Sequence, residues 1–139
     1  MIGLLNNLFA NGWQKKPPKP KPQFLDDVNM RRKLGEPRKV ELLSDFRFRD
    51  SSGKIWTAQA GKIVDGSSIP RLLWPIVGSP FVGCHFFASV IHDVGCKDRW
   101  ADSSTVHRLY YEGNIAAGVP MWKARIRWLA VRIFGPRWS

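Results

Sequence analysis

Ten prolines, and the glycines beside some of them, decide where this chain can be regular. Proline locks φ and removes a backbone donor, so each one starts a helix, ends one, or lies outside both. Four of the ten fall in the run Gln14-Lys-Lys-Pro-Pro-Lys-Pro-Lys-Pro22. That run can be neither helix nor central strand, and polyproline geometry spaces its lysines along an extended, self-repelling rod. Pro70, Pro75 and Pro80 punctuate a second stretch. Beyond them, two proline-free intervals remain, one before Pro120 and one closed by Gly135-Pro136. Long helices have to fit those intervals.

Apolar density from about Val82 to Cys96 predicts a buried helix. A second is expected from Asp102 to about Ala117, ended by Gly118, and a third from Pro120 to Phe134. Upstream, Val40 to Arg49 ends in the alternation Phe46, Arg47, Phe48, Arg49, the pattern of a half-buried strand. Asp50-Ser-Ser-Gly53 is turn chemistry, and Lys54 to Gln59 reads as the returning strand of a hairpin. The expected fold is therefore α+β: an N-terminal β-hairpin followed by three packed helices, forming one compact domain over residues 39–139. Residues 1–38 read as an extension. In it Ile2, Leu4, Leu5, Leu8 and Phe9 fall at roughly helical spacing ahead of the Pro/Lys arm.

A length of 139 residues suits a single domain, and two cysteines cannot build a secreted-type disulfide framework. Lys and Arg number 22 against 11 Asp and Glu, a net charge of +11. The excess is not spread evenly: the first forty residues carry +6, residues 120–139 carry +5, and the middle is net zero. Basicity of this kind describes attachment to an anionic partner more than a reaction. The arm fits two readings, a solvated linker or a segment docking on an acidic neighbour or on lipid phosphates. The last helix carries Lys123, Arg125, Arg127 and Arg132 and no acid. It fits either a core helix with a solvated basic face or a helix lying on anionic phospholipid. No apolar run approaches the roughly 20 residues of a spanning helix. The start lacks a basic leading region and a small-residue cleavage site, so synthesis in the cytoplasm without a signal peptide is expected. None of the standard nucleic-acid-binding signatures occurs, and no specific nucleic-acid partner is predicted.

The residues able to carry chemistry cluster in four places: Asp65-Gly-Ser-Ser-Ile-Pro-Arg71, His92-Asp93, Asp102, and Ala130-Val-Arg-Ile-Phe-Gly135. A histidine late in an apolar helix is either a satisfied core residue or a base whose tautomer a carboxylate fixes. Asp102, placed after a short turn, could meet His92 if two helices pack antiparallel. It is equally a good helix cap before Ser-Ser-Thr. The Asp65–Gly66 loop is either a turn or a source of hard oxygen ligands for calcium, with Asp93 adding a second carboxylate. Zinc is a rival chemistry. His85, His92 and Cys96 can share one helix face, with His107 on the next helix, although no Cys-x-x-Cys pair is present.

These motifs, in this order, resemble the phage and prophage family catalogued as domain of unknown function 1353, over roughly Val40 to Trp138. The resemblance implies a phage or prophage protein and carries no settled activity. His92-Asp93-Val-Gly95 and Trp128-Leu-Ala-Val-Arg-Ile-Phe-Gly135 are also similar, more distantly, to prokaryotic phospholipases of the A-two class. That likeness implies a calcium-dependent esterase or phospholipase-like hydrolase. In it His92 activates water, Asp102 orients His92, and Asp65, Gly66 and Asp93 hold a calcium ion that polarises the ester. The chain departs from that pattern at Cys96, where those enzymes carry Tyr, and at Thr105, where they carry an aromatic. The alternative expectation is a non-enzymatic virion component, tail-associated, docking on other phage structural proteins through its basic arm.

Overall fold

The computed structural model describes residues 16–79, 83 and 85–139; the apolar segment at 1–10 lies outside the described residues. Six short strands come first: β1 (Gln23–Phe24), β2 (Met30–Arg32), β3 (Val40–Leu42), β4 (Phe46–Arg49), β5 (Ile55–Ala58) and β6 (Ile63–Val64). They form two antiparallel three-stranded sheets, ordered β1-β4-β5 and β2-β3-β6. A 3-10 turn at Arg71–Leu73 leads into the short helix α1 (Trp74–Val77). Three longer helices follow, α2 (Phe86–Asp98), α3 (Ser103–Ala116) and α4 (Met121–Phe134).

This architecture corrects the expected order of one N-terminal hairpin and then helices. The hairpin does form, as β4 and β5 around Asp50-Ser-Ser-Gly53, but it is the middle and edge of a larger sheet. Gln23–Phe24 adds to the other edge of β4, and residues 30–32, 40–42 and 63–64 make a second sheet. Strands of two or three residues carry too little alternation for a period of two to be visible in sequence. Contacts outside the strand itself recruit them. Phe24 lies 5.5 Å from Phe46, 4.9 Å from Phe48 and 5.6 Å from Phe87, ring centre to ring centre. Asp26 accepts from the Arg47 backbone N–H and from its guanidinium, all at 2.9 Å. The first sheet thus draws in residues ahead of the proposed compact domain.

Along β4 the alternation works as a sheet requires: Phe46 and Phe48 are fully buried while Arg47 points to solvent. The turn is fixed by the buried Asp50 carboxylate. It accepts from the Ser52 and Lys54 backbone N–H groups at 2.8 and 3.1 Å and from the Trp56 indole at 2.8 Å. One apolar core lies between the sheets and α2, with Leu42, Phe46, Phe48, Val64 and Ile91 at its centre. A second joins the 3-10 turn, α1, α3 and α4 through Leu73, Val77, Tyr110 and Val131. Among the described residues, no helix is long and apolar enough to cross a membrane.

Candidate metal centre

Helix α2 lies inside the fold, with ten of its thirteen residues buried, Ser89, His92 and Asp93 among them. His92 and Cys96 sit four apart on it, hence on one face. Two glycines let α3 come close to that face. A Cβ on Gly95 would lie 3.0 Å from Trp100 Cε3 and from Val106 Cγ1; one on Gly113 would lie 2.9 Å from Ala88 Cβ. Between these two close approaches α3 presents His107. The chain turns between the helices with Arg99 in the left-handed region, φ 47°, and Asp102 starts α3 as its cap.

His92 Nε2 lies 2.8 Å from His107 Nδ1, and Cys96 Sγ lies 3.5 Å from His92 Nε2. One donor atom from each of the three residues falls within 4.8 Å of the others. All three side chains are buried, His92 completely. Both imidazoles are also held from behind. His92 Nδ1 meets Ser68 Oγ at 3.3 Å, and His107 Nε2 meets the Pro136 carbonyl at 2.8 Å. A carbonyl only accepts, so His107 Nε2 carries the proton and its Nδ1 offers a lone pair toward His92. With no ion present, a single polarity satisfies every group. The Ser68 hydroxyl donates to His92 Nδ1, His92 Nε2–H donates to His107 Nδ1, and His107 donates to Pro136. Turning the Ser68 hydroxyl instead frees both inner nitrogens as lone pairs facing one another, an arrangement a cation resolves.

The electrostatics agree with neutral ligands. Burial, together with the neighbouring His107, pushes His92 down to about 3, and burial lowers His107 despite the Pro136 carbonyl. Burial, reinforced by the Asp93 charge, pushes the Cys96 thiol up to about 12. Both imidazoles are therefore neutral at pH 7, each with one nitrogen free to ligate, and the thiol keeps its proton until something displaces it.

The C-terminal residues close the site. Ser103 donates from N and Oγ to the Trp138 carbonyl at 3.2 and 2.9 Å. The Trp138 indole donates to the Ala101 carbonyl at 2.7 Å, and its ring stands edge-on to His107, 6.2 Å between centres. Beside Cys96 and Ser68 a cavity of ≈ 190 Å³ remains, walled by Lys97, Arg99, Arg137 and Trp138.

The residues named from sequence fall into separate groups. His92's ring nitrogens face Ser68, His107 and Cys96, whereas the Asp102 carboxylate accepts from Thr105 N and Oγ1 at 3.4 and 2.5 Å. His92 and Asp102 are not hydrogen-bonded to each other. Asp65 and Asp93 do converge, and the cation they share is the Lys97 ammonium, 2.7 Å from Asp65 and 3.1 Å from Asp93. Asp93 also accepts from the Asp65 and Ser68 backbone N–H groups at 3.3 and 3.4 Å, fixing the Asp65–Gly66 loop to α2. Of the four zinc candidates three come together. His85 stands apart, its Nε2 2.7 Å from the Ser79 carbonyl. The role of Pro136 had no sequence signal, because a backbone carbonyl orients His107.

The chain belongs to the family described as protein of unknown function (DUF1353), whose model matches residues 40–131. Ser68, His92, Cys96 and His107 fall within that range, and Pro136 and Trp138 beyond it. The chain is similar to the uncharacterized protein y4jT of Sinorhizobium fredii (strain NBRC 101917 / NGR234). The two are 42% identical over 121 residues, covering 86% of this chain and 34% of the relative. It is also similar to the uncharacterized protein y4iH of the same strain, 39% identical over 98 residues, covering 70% of this chain and 41% of the relative. The chain thus spans about a third to two fifths of the length of these curated relatives. No solved structure matches it.

Proposed function

We propose that this protein is a metal-binding domain whose centre, His92, Cys96 and His107, takes a zinc-class ion, in preference to a calcium-assisted hydrolase or a purely structural virion part. The observation that carries this reading is the convergence of two imidazole nitrogens and a thiol in a buried pocket, with both outer nitrogens tied to oxygen partners. Neutral imidazole and thiolate are the donors zinc prefers, and ligating histidines characteristically bond an outer-shell oxygen through their other nitrogen. The spacing supports it too. Ordinary zinc–nitrogen and zinc–sulfur lengths at tetrahedral angles put nitrogen and sulfur about 3.5 Å apart, and two nitrogens about 3.3 Å apart. The nitrogen–sulfur distance is already 3.5 Å, and the imidazoles, at 2.8 Å, need to open by only about 0.5 Å.

Three protein ligands leave a fourth position for water or another group. A cavity against Cys96, walled by Lys97, Arg99 and Arg137, offers open space on the thiol side of the cluster, and a second, of ≈ 420 Å³ beside Leu129 and Ile133, reaches His107. A titration of the purified chain with cobalt(II) tests the reading. Wild type should develop the thiolate-to-cobalt charge-transfer band together with the intense visible bands of tetrahedral cobalt. Cys96→Ser should lose the first, His107→Ala should weaken both, and Cys84→Ser should keep both. A spectrum unchanged from that of aqueous cobalt would end the proposal.

A further inference from the structure

Helix α4 is built inside out for a helix at the edge of a core. It buries only Ala124, Ala130 and Val131, and leaves Trp122, Ile126, Leu129, Ile133 and Phe134 exposed, Trp122 by 62% and Phe134 by 63%. At about 100° per residue, Trp122, Ile126, Leu129 and Ile133 fall within a sector of about 60° on the outward side. Arg125 and Arg132 flank one edge of that sector and Lys123 the other. The stripe does not stop at α4. Ile76 of α1 faces Trp122 and Ile126 across a groove of ≈ 350 Å³, and Leu72, in the turn before α1, is 90% exposed. After Glu112 the chain contains no acidic residue.

We propose that this platform, the outward face of α4 with α1 beside it, docks the protein on the surface of an anionic phospholipid bilayer. The occupant follows from charge and shape. Lys123, Arg125 and Arg132 are exposed around the stripe and require an anionic counterpart. A second copy of the same face would set cations against cations, which excludes self-pairing through it. A single acidic helix would cover one seam, whereas this apolar surface runs across two elements. A lipid surface meets the whole width at once. Apolar side chains enter the acyl boundary, Trp122 sits at the interface, and the long basic side chains extend from the flanks to the phosphates. The inference is independent of the metal reading.

The experiment is sedimentation of the full chain with vesicles of phosphatidylcholine, with and without phosphatidylglycerol. Wild type should pellet with the anionic vesicles, remain in solution with the neutral ones, and be released by added salt. Replacing Lys123, Arg125 and Arg132 by Gln should lower partitioning about fivefold for each, roughly a hundredfold together. Ile126→Gln combined with Leu129→Gln and Ile133→Gln should lower it at least tenfold. These positions face solvent, so melting curves should match wild type. The other basic region is controlled by Lys16→Gln, Lys19→Gln and Lys21→Gln, which should lower partitioning less than the α4 changes do. Equal pelleting with neutral vesicles, no pelleting with anionic ones, or α4 variants that bind like wild type would each overturn the proposal. So would binding abolished by the arm variant alone, or capture by an acidic amphipathic peptide without capture by vesicles.

Discussion

Replacing Cys96 by serine separates metal binding from folding more cleanly than any other change at the centre. Without metal the thiol's polar contact is weak, 3.5 Å from His92 Nε2, and losing it should cost under about 1 kcal/mol. With zinc the two proteins should diverge. Free zinc at a hundred times the wild-type dissociation constant stabilises the folded state by about 2.7 kcal/mol. For a domain of this size each kcal/mol moves the melting temperature by about 4 °C, so the wild-type rise is about 10 °C. Losing a thiolate ligand should cost at least the roughly hundredfold seen for outer-shell losses. At the same zinc concentration the variant then gains only about 0.4 kcal/mol, a rise of about 1–2 °C.

The pH dependence gives a second, independent reading. Both imidazoles are kept neutral, His92 down to about 3, while the thiol holds its proton up to about 12. Zinc should therefore displace one proton, and wild-type affinity should rise about tenfold per pH unit from near pH 6.5 through pH 8. Ordinary histidine ligands would steepen that slope below about pH 6.5. The serine variant should show almost no slope. Thermal melts by scanning fluorimetry, with and without zinc, measure the first result, and competition titrations against a chelator measure the second. Equal zinc increments in the two proteins would refute the three-ligand centre.

Three other expectations come from the same geometry. In the metal-free protein, unfolding frees His92 to bind a proton near pH 6.5 that the folded site refuses until about 3. Stability should thus be level above pH 6.5 and fall as pH drops below it, with His92 contributing up to about 1.4 kcal/mol per unit; His92→Leu should lessen that fall in urea midpoints taken across the range. Asp50→Ala strips the buried Trp56 indole of its acceptor and unties the β4–β5 turn. It should cost about 2–3 kcal/mol by urea denaturation, and a loss under 0.5 would contradict the role given to that carboxylate. Gly113→Ala puts a methyl 2.9 Å from Ala88 Cβ and 3.1 Å from Ala88 Cα, so α2 and α3 must part. The overpacking cost of about 1–3 kcal/mol should exceed the roughly 1 kcal/mol gained in helix propensity, and a more stable variant would show that the crossing yields.

The helices were legible because proline and glycine fix their ends and a period near 3.6 survives over thirteen or fourteen residues. Expected from about 82, 102 and 120, the three longer helices begin at Phe86, Ser103 and Met121. The sheets were largely hidden. β1 and β6 have two residues each, and β1 is held by Phe24 packing on rings more than twenty positions away. At the site, sequence spacing offered His92 two partners, Asp102 through a turn and His107 through the next helix. Both carry a sound rationale, and only packing chooses between them. Asp102 spends its carboxylate on the first turn of α3, while Gly95 and Gly113 bring His107 to α2.

Helix α4 shows most clearly what a pattern can and cannot specify. Its sequence mixes apolar bulk with basic residues, and the fold sorts them into an apolar stripe with basic flanks. Periodicity reports that such a stripe exists, however, and says nothing about whether it faces in or out. That is decided by how much room the neighbours leave. Under α4 the space is already taken by Ile69, Leu73, Val77 and Tyr110, all buried, so the helix can offer only Ala130 and Val131 there. A larger residue at Ala130 would have to displace that layer, whereas Trp122 and Ile133 meet no such limit outside. The small residues, which hydropathy reads as weak signals, set the helix's orientation, and the large ones become free to meet something other than this protein's own core.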